Sequence, residues 1–217
     1  MNKNISLKFC GFFAEPDVEK AVQFDIDAIG FILVRGRKRS VEREMLPKLV
    51  RKVPAGIWTV GVLQNPSLRE MEEWLSVAPL SAIQLHGEET PEFCRTVKKA
   101  FGVRVIKTFH VTGRIAGEER IAQYAPWIDA ALLDTGTSGG SGQAFDWNQI
   151  PPFYEECRRA GVPLWVAGGL NVRNVRSLIT RYPLDGVDVS SGIEADGGKK
   201  AELMAKFAER VKRNEDR

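Results

Sequence analysis

The chain has 217 residues, 43% of them hydrophobic and 27% charged, with a formal net charge of +3; that fits one large soluble α/β domain and admits an anionic small-molecule substrate, but not a nucleic acid partner. No apolar run approaches the roughly 20 residues that span a bilayer, and the amino end does not resemble a signal peptide, so no membrane partner is expected. Cys10, Cys94 and Cys157 are an odd number without C-x-x-C spacing, which argues against a disulfide framework and for a reducing cytoplasm.

Apolar runs rich in Val and Ile recur along the whole length. They read Ile5–Cys10, Ala28–Val34, Ile57–Leu63, Ala82–Leu85, Val103–Phe109, Ala130–Asp134, Pro163–Ala167 and Gly186–Ser190. Segments with helical spacing lie between them. The first opens at Glu15-Pro16-Asp17, with Pro near its first turn. The others are Val41–Val53, Leu68–Val77, Pro91–Ala100, Gly117–Ala125, Pro152–Ala160, Val172–Ile179 and Ala201–Lys212. Strands alternate strictly with helices at about the spacing of a βα unit. The expected fold is a single-domain (β/α)8 barrel over residues 1–217, with a doubly wound open sheet as the alternative. No repeat is visible at the sequence level, and Arg213–Arg217 reads as a frayed tail.

In such a barrel the active site lies where the strands end. Side chains alternate along a strand, so residues of one parity share a face. Leu7, Phe9, Leu133, Val187 and Val189 are expected to face outward. Lys8, Cys10, Gln84, His86, Lys107, Leu132, Asp134, Asp188 and Ser190 are expected to face inward. Lys8, Lys107 and Asp188 either pair with one another or act directly. Strand six delivers Asp134 to a loop with four glycines in the seven residues Gly136–Gly142, followed by Phe145-Asp146-Trp147. Asp146-Trp147 either shapes the pocket or staples the loop, and stapling is the favoured reading. After strand seven comes Ala167-Gly168-Gly169-Leu170-Asn171, and after strand eight Ser190-Ser191-Gly192-Ile193-Glu194. Glycine backbone and serine hydroxyls can converge on an anion there, so Gly168, Gly169, Ser190, Ser191 and Gly192 are the candidate phosphate site; two glycine turns closing the barrel are the alternative.

Taken together, Lys8-Phe9-Cys10-Gly11, Ile83-Gln84-Leu85-His86-Gly87, Leu133-Asp134, Gly139-Gly140-Ser141-Gly142, Phe145-Asp146-Trp147, Ala167-Gly168-Gly169-Leu170-Asn171 and Gly186-Val187-Asp188-Val189-Ser190-Ser191-Gly192 resemble the phosphoribosylanthranilate isomerase family of tryptophan biosynthesis. The resemblance runs in order over nearly the whole chain. It implies conversion of N-(5′-phosphoribosyl)anthranilate to 1-(o-carboxyphenylamino)-1-deoxyribulose 5-phosphate, an Amadori rearrangement without metal or cofactor, by a monomer or homodimer. It further implies Cys10 as general base, Asp134 as general acid, and Arg39 as the family arginine after strand two. Two stretches depart from the family pattern. Its S-P-R loop is here Arg35-Gly36-Arg37-Lys38-Arg39-Ser40, which leaves Arg37 as a rival to Arg39. The proline before its final Gly-x-Lys is replaced, giving Asp196-Gly197-Gly198-Lys199.

Each role has a bland counterpart. Taken alone, Cys10 reads better as a buried inert thiol; its place at a strand end and the resemblance favour a base. As a base it must ionise, and Lys8, two residues back on the same face, is the expected cation to lower its pKa. Asp134 must hold a proton when it acts, or else it merely caps the following turn. His86 reads as a hydrogen-bonded wall residue beside the substrate. With His86 and His110 the only histidines, the chain supplies too few ligands for a metal-dependent epimerase barrel. The competing functions are another phosphosugar barrel enzyme and a noncatalytic phosphoribosyl binder. A histidine-pathway isomerase would place an aspartate where this chain has Cys10.

Overall fold

A computed structural model of the chain describes residues 4–110, 120–134 and 146–213. Within them the strands are β1 (Ser6–Cys10), β2 (Ala28–Ile32), β3 (Trp58–Leu63), β4 (Ala82–Leu85), β5 (Arg104–His110), β6 (Ala130–Asp134), β7 (Leu164–Val166) and β8 (Gly186–Val189). They close in that order into a parallel barrel, β8 pairing with β1. The helices between them are α1 (Glu15–Ala21), α2 (Leu46–Arg51), α3 (Leu68–Leu75), α4 (Pro91–Phe101), α5 (Arg120–Tyr124), α6 (Ile150–Ala160), α7 (Val175–Arg181) and α8 (Ala201–Lys212). This is the expected (β/α)8 barrel. No helix among the described residues is long and apolar enough to cross a membrane.

Local chemistry sets the helix ends. Thr90 caps α4 by accepting from Phe93 N at 3.2 Å, Pro91 occupies its first turn, and Gly102 ends it at φ 64°. The expected helix over Val41–Val53 starts only at Leu46. Pro47 belongs in a first turn, and Val41 N is spent on Ile32 O at 2.8 Å, extending the edge of β2. Likewise α7 begins at Val175 rather than Val172. Residues 117–119 of the expected fifth helix and the 214–217 tail lie outside the described residues.

Alternation sorts the core into two layers. Leu7, Phe9, Leu133, Val187 and Val189 face the helices, as expected. Ala28, Val60, Ala82, Ile106, Ala130, Leu132, Trp165 and Ala167 fill the barrel interior, where Trp58 stacks on Trp165 at 5.9 Å. One expectation fails. Lys107 does not face inward: Ile106 and Thr108 do, and Lys107 points into the helix layer. There its Nζ donates to Glu89 Oε2 at 2.9 Å, Gly87 O at 2.7 Å and Thr108 O at 2.9 Å. A buried ammonium needs a carboxylate, and Glu89, in the loop after β4, supplies it. Of the expected inner trio, Lys8 and Asp188 pair.

The opposite end of the barrel carries a repeat that the sequence hides. The residue just before each even strand accepts from the first backbone N–H groups of the strand preceding it. Asp27 takes Leu7 N, Ser81 takes Thr59 N, Asp129 takes Val105 N and Asp185 takes Leu164 N, at 2.7 to 2.8 Å. Each bond joins two neighbouring strands at the face away from the strand ends, where a barrel builds stability rather than catalysis.

Candidate active site

The carboxyl ends of the strands bring Cys10, His86, Asp134 and Ser190 to one mouth, with Arg39 and the loops after β7 and β8 around it. Cys10 closes β1 and is 7% exposed. Below it Lys8 is fully buried, its Nζ 3.0 Å from Asp188 Oδ2. A glycine makes the room: a Cβ at Gly30, on the neighbouring strand, would lie 2.6 Å from Cys10 Sγ and 3.1 Å from Lys8 Nζ. Burial pushes the Cys10 thiol above its ordinary pKa, and Lys8 and Lys199 pull the other way without offsetting it. The expected effect of Lys8 is therefore real in sign, but burial outweighs it. Burial also works against the Lys8 ammonium, yet Asp188 and Cys10 hold its pKa above the ordinary value.

Asp134 ends β6, and its Oδ2 lies 3.7 Å from His86 Nε2. Burial, with His110 and Lys8 nearby, pulls the His86 pKa down to about 4, so this contact is not an ion pair at neutral pH. His86 Nδ1 meets Gln84 Nε2 at 3.1 Å and Thr108 Oγ1 at 3.2 Å. With the amide of Gln84 as donor, Nδ1 accepts and the ring hydrogen sits on Nε2, facing Asp134. His86 is thus hydrogen-bonded at the mouth and lies beside the candidate acid. His110, not singled out from the sequence, packs edge-on against His86 at 4.9 Å and makes a 3.0 Å bond with His86 O. Its even parity with Ile106 and Thr108 was the available signal. The glycine-rich loop, residues 135–145, lies outside the described residues. Asp146 caps the turn that opens at Trp147 by accepting from Asn148 N, and Trp147 packs on Tyr182 at 5.8 Å.

Arg39 and Arg37 part company. Arg37 is exposed and donates to Gln64 Oε1 at 2.9 Å. Arg39 lies against the mouth: a Cβ on Gly11, which has φ 80°, would meet Arg39 Cδ at 2.7 Å and Ser190 Oγ at 2.8 Å. Its Nε and Nη2 donate to the two oxygens of Glu194 at 2.7 and 2.6 Å. Glu194 also accepts from Lys199, 2.8 Å away. Both stand on a hairpin after β8, in which β9 (Glu194–Ala195) pairs with β10 (Gly198–Lys199). Asp196 at φ 50° and Gly197 at φ 80° make the turn where the family pattern has a proline; both positive angles suit a two-residue hairpin. An Asp-Gly pair placing Glu194 opposite Lys199 was the unused signal for these two residues.

The loops after β7 and β8 meet as expected. Gly168 and Gly169 take φ 91° and 64°. Asn174 Nδ2 donates to Gly169 O at 2.9 Å, which fixes that peptide. A Cβ on Gly192 would overlap Leu170 O at 1.9 Å, so glycine is required for the two loops to touch. Ser190 Oγ is buried without a hydrogen-bond partner among the described residues. Such a hydroxyl beside glycine backbone is fitted to an anion.

The family described as N-(5'phosphoribosyl)anthranilate (PRA) isomerase matches residues 7–210. The N-(5'-phosphoribosyl)anthranilate isomerase of Brevibacillus brevis is 39% identical over 212 residues, 96% of this chain and 94% of its own. That of Geobacillus thermodenitrificans is 34% identical over 211 residues, again 96% and 94%. The phosphoribosyl anthranilate isomerase structure from Thermotoga maritima aligns with a TM-score of 0.83 at 34% identity, covering 96% of this chain and 98% of its own. A phosphoribosyl anthranilate isomerase structure in complex with reduced 1-(o-carboxyphenylamino)-1-deoxyribulose 5-phosphate gives 0.81 at 32% identity, covering the same shares. The motifs at the strand ends, the barrel that gathers them and these matches over nearly the full length agree: the chain belongs to the N-(5'-phosphoribosyl)anthranilate isomerase family.

Proposed function

We propose that Cys10 and Asp134 are the base and the acid with which this chain isomerises N-(5′-phosphoribosyl)anthranilate to 1-(o-carboxyphenylamino)-1-deoxyribulose 5-phosphate in tryptophan biosynthesis. Asp134 gives its proton to the furanose ring oxygen as the bond from C1 to that oxygen breaks, leaving an iminium at C1. The Cys10 thiolate takes the proton from C2, giving an enolamine. Ketonisation adds a proton at C1 and removes one from the C2 hydroxyl, so the atoms balance as an isomerisation. Neutral His86, with its Nε2 hydrogen toward Asp134, adds a donor to that side of the mouth without adding charge. Arg39 offers two parallel donors to the anthranilate carboxylate, and the backbone of Gly168, Gly169, Ser191 and Gly192 with the Ser190 hydroxyl holds the phosphate. The related structure that binds the reduced product analogue supports a site of this shape.

The observation that carries the reading is the placement of a thiol and a carboxyl at the ends of β1 and β6, across one mouth. Loss of substrate fluorescence under purified protein tests it. Cys10→Ala should lower kcat by at least about 100-fold, and Asp134→Asn should keep less than about a tenth of it, with binding retained in both. Near-normal turnover in either variant removes that residue from its role.

A further inference from the structure

Lys199 and Glu194 have no part in the proton transfers, yet they sit where the site's elements meet. Lys199 is 5% exposed, and its ammonium makes three bonds: to Cys10 O at 2.6 Å, Ser190 O at 3.0 Å and Glu194 Oε1 at 2.8 Å. An ammonium has three hydrogens, so it is saturated and free neither to bind substrate nor to move a proton. The β1–β8 ladder ends at Phe9 and Val189. Cys10 and Ser190 are the next residues on each strand, and the Lys199 ammonium joins them where the ladder stops. Burying a charge is costly unless it is paired and hydrogen-bonded, and here Glu194 and the two carbonyls supply both.

Glu194 fixes the other half. It uses Arg39 Nε and one hydrogen of Nη2. A guanidinium carries five N–H groups. Those remaining include the end-on pair on Nη1 and Nη2, two parallel donors suited to a second carboxylate. The cluster of Arg39, Lys199 and Glu194 keeps one net positive charge, which favours an anion.

We infer that Lys199 and Glu194 are positioning residues for the isomerisation, Lys199 tying the strand end of Cys10 to the phosphate loop and Glu194 aiming Arg39 at the substrate carboxylate. The inference rests on the roles proposed above for Cys10, Ser190 and Arg39. Steady-state kinetics on Arg39→Ala, Glu194→Gln, their double variant and Lys199→Met tests it. Glu194→Gln should raise KM about 5- to 20-fold and change kcat less than about threefold, because an amide cannot accept both Arg39 bonds. In the Arg39→Ala background the same change should alter KM less than about twofold, since its effect passes through the guanidinium. Lys199→Met should lower kcat about 10- to 100-fold, by more than it raises KM. If the Arg39 and Glu194 effects multiply, or if Glu194→Gln lowers KM because it had competed with substrate, Glu194 does not aim Arg39. Normal kcat in a folded Lys199→Met protein overturns its role; should that variant not fold, the Glu194 cycle decides the inference. If Arg39→Ala itself leaves KM unchanged, the fault lies with the carboxylate assignment to Arg39 and not with Glu194.

Discussion

Replacing Lys8 with Met removes the ammonium beneath the proposed base, Cys10, and should separate its structural effect from its electrostatic one. Lys8 is fully buried and Asp188 8% exposed, and Asp188 Oδ1 has no partner among the described residues. The variant leaves that carboxylate buried and unpaired, at a cost of about 3–5 kcal/mol. At about 2–4 °C per kcal/mol for a chain of this size, Tm should fall by roughly 6–20 °C. The charges that act on Cys10 are Lys8, Lys199 and Arg39 on the positive side and Asp188 on the negative. Burial raises the thiol and Lys8 is the strongest group opposing it, so its loss raises the thiol further. A base must be ionised to act. Turnover needs the Asp134 proton and the Cys10 thiolate together, so the pH profile of kcat/KM follows both groups; in Lys8→Met the limb set by the thiol moves to higher pH, and each unit of that move lowers the active fraction tenfold at neutrality. The assays are thermal unfolding and kcat/KM from about pH 6 to 10. Adding Asp188→Leu should restore most of the lost Tm and bring the limb part of the way back, because Asp188 also raises the thiol. An unmoved limb in a folded Lys8→Met protein refutes the electrostatic reasoning, and a Tm within about 2 °C of the parent refutes the energetic one.

Arg39→Ala should raise KM about 10- to 100-fold and Arg37→Ala less than about threefold, since Arg37 is exposed and engaged with Gln64; the reverse result moves the carboxylate to Arg37. Inorganic phosphate should inhibit competitively, and Ser190→Ala should weaken that inhibition about 5- to 10-fold, because the hydroxyl is one of several donors; an unchanged inhibition constant removes Ser190 from the phosphate site. Asp129→Ala should cost about 1.5–3 kcal/mol by urea denaturation, through the lost acceptor for Val105 N and Lys98 Nζ, with kcat within about twofold. A variant whose kcat falls while its stability holds would contradict the placing of that carboxylate at the structural end of the barrel.

Apolar runs set the eight strands, and period-two alternation, a local property, was enough to set the outward row of Leu7, Phe9, Leu133, Val187 and Val189 and the inward aim of Cys10, His86, Asp134 and Ser190. The glycines after β7 and β8 were legible for a similar reason: left-handed backbone and close loop approach leave a mark in residue type. Lys107 misled because polarity at a strand position looks inward when its neutralising carboxylate is out of view. His110 was missed because β5 runs one residue further than its apolar run, to His110.

Parity narrowed the partner of Lys8 to the inward trio, but it could not supply the partners of Arg39 and Lys199. Lys8 finds Asp188 at a separation of 180 residues, Arg39 finds Glu194 at 155, and Lys199 finds Cys10 at 189. All three bonds cross or border the seam where β8 closes on β1. In its own neighbourhood of the chain Lys8 has no acceptor other than water, and Lys199 has only Glu194 across the hairpin and Ser190 O nine residues back. Their burial is fully compensated only in the closed barrel, where β8 pairs with β1. In the closed barrel the cations stand beside the thiol, and the guanidinium arm of Arg39 stands with Ser190 at the proposed phosphate site. A perturbation of the β1–β8 seam should for that reason reach Cys10, Ser190 and Lys199 together.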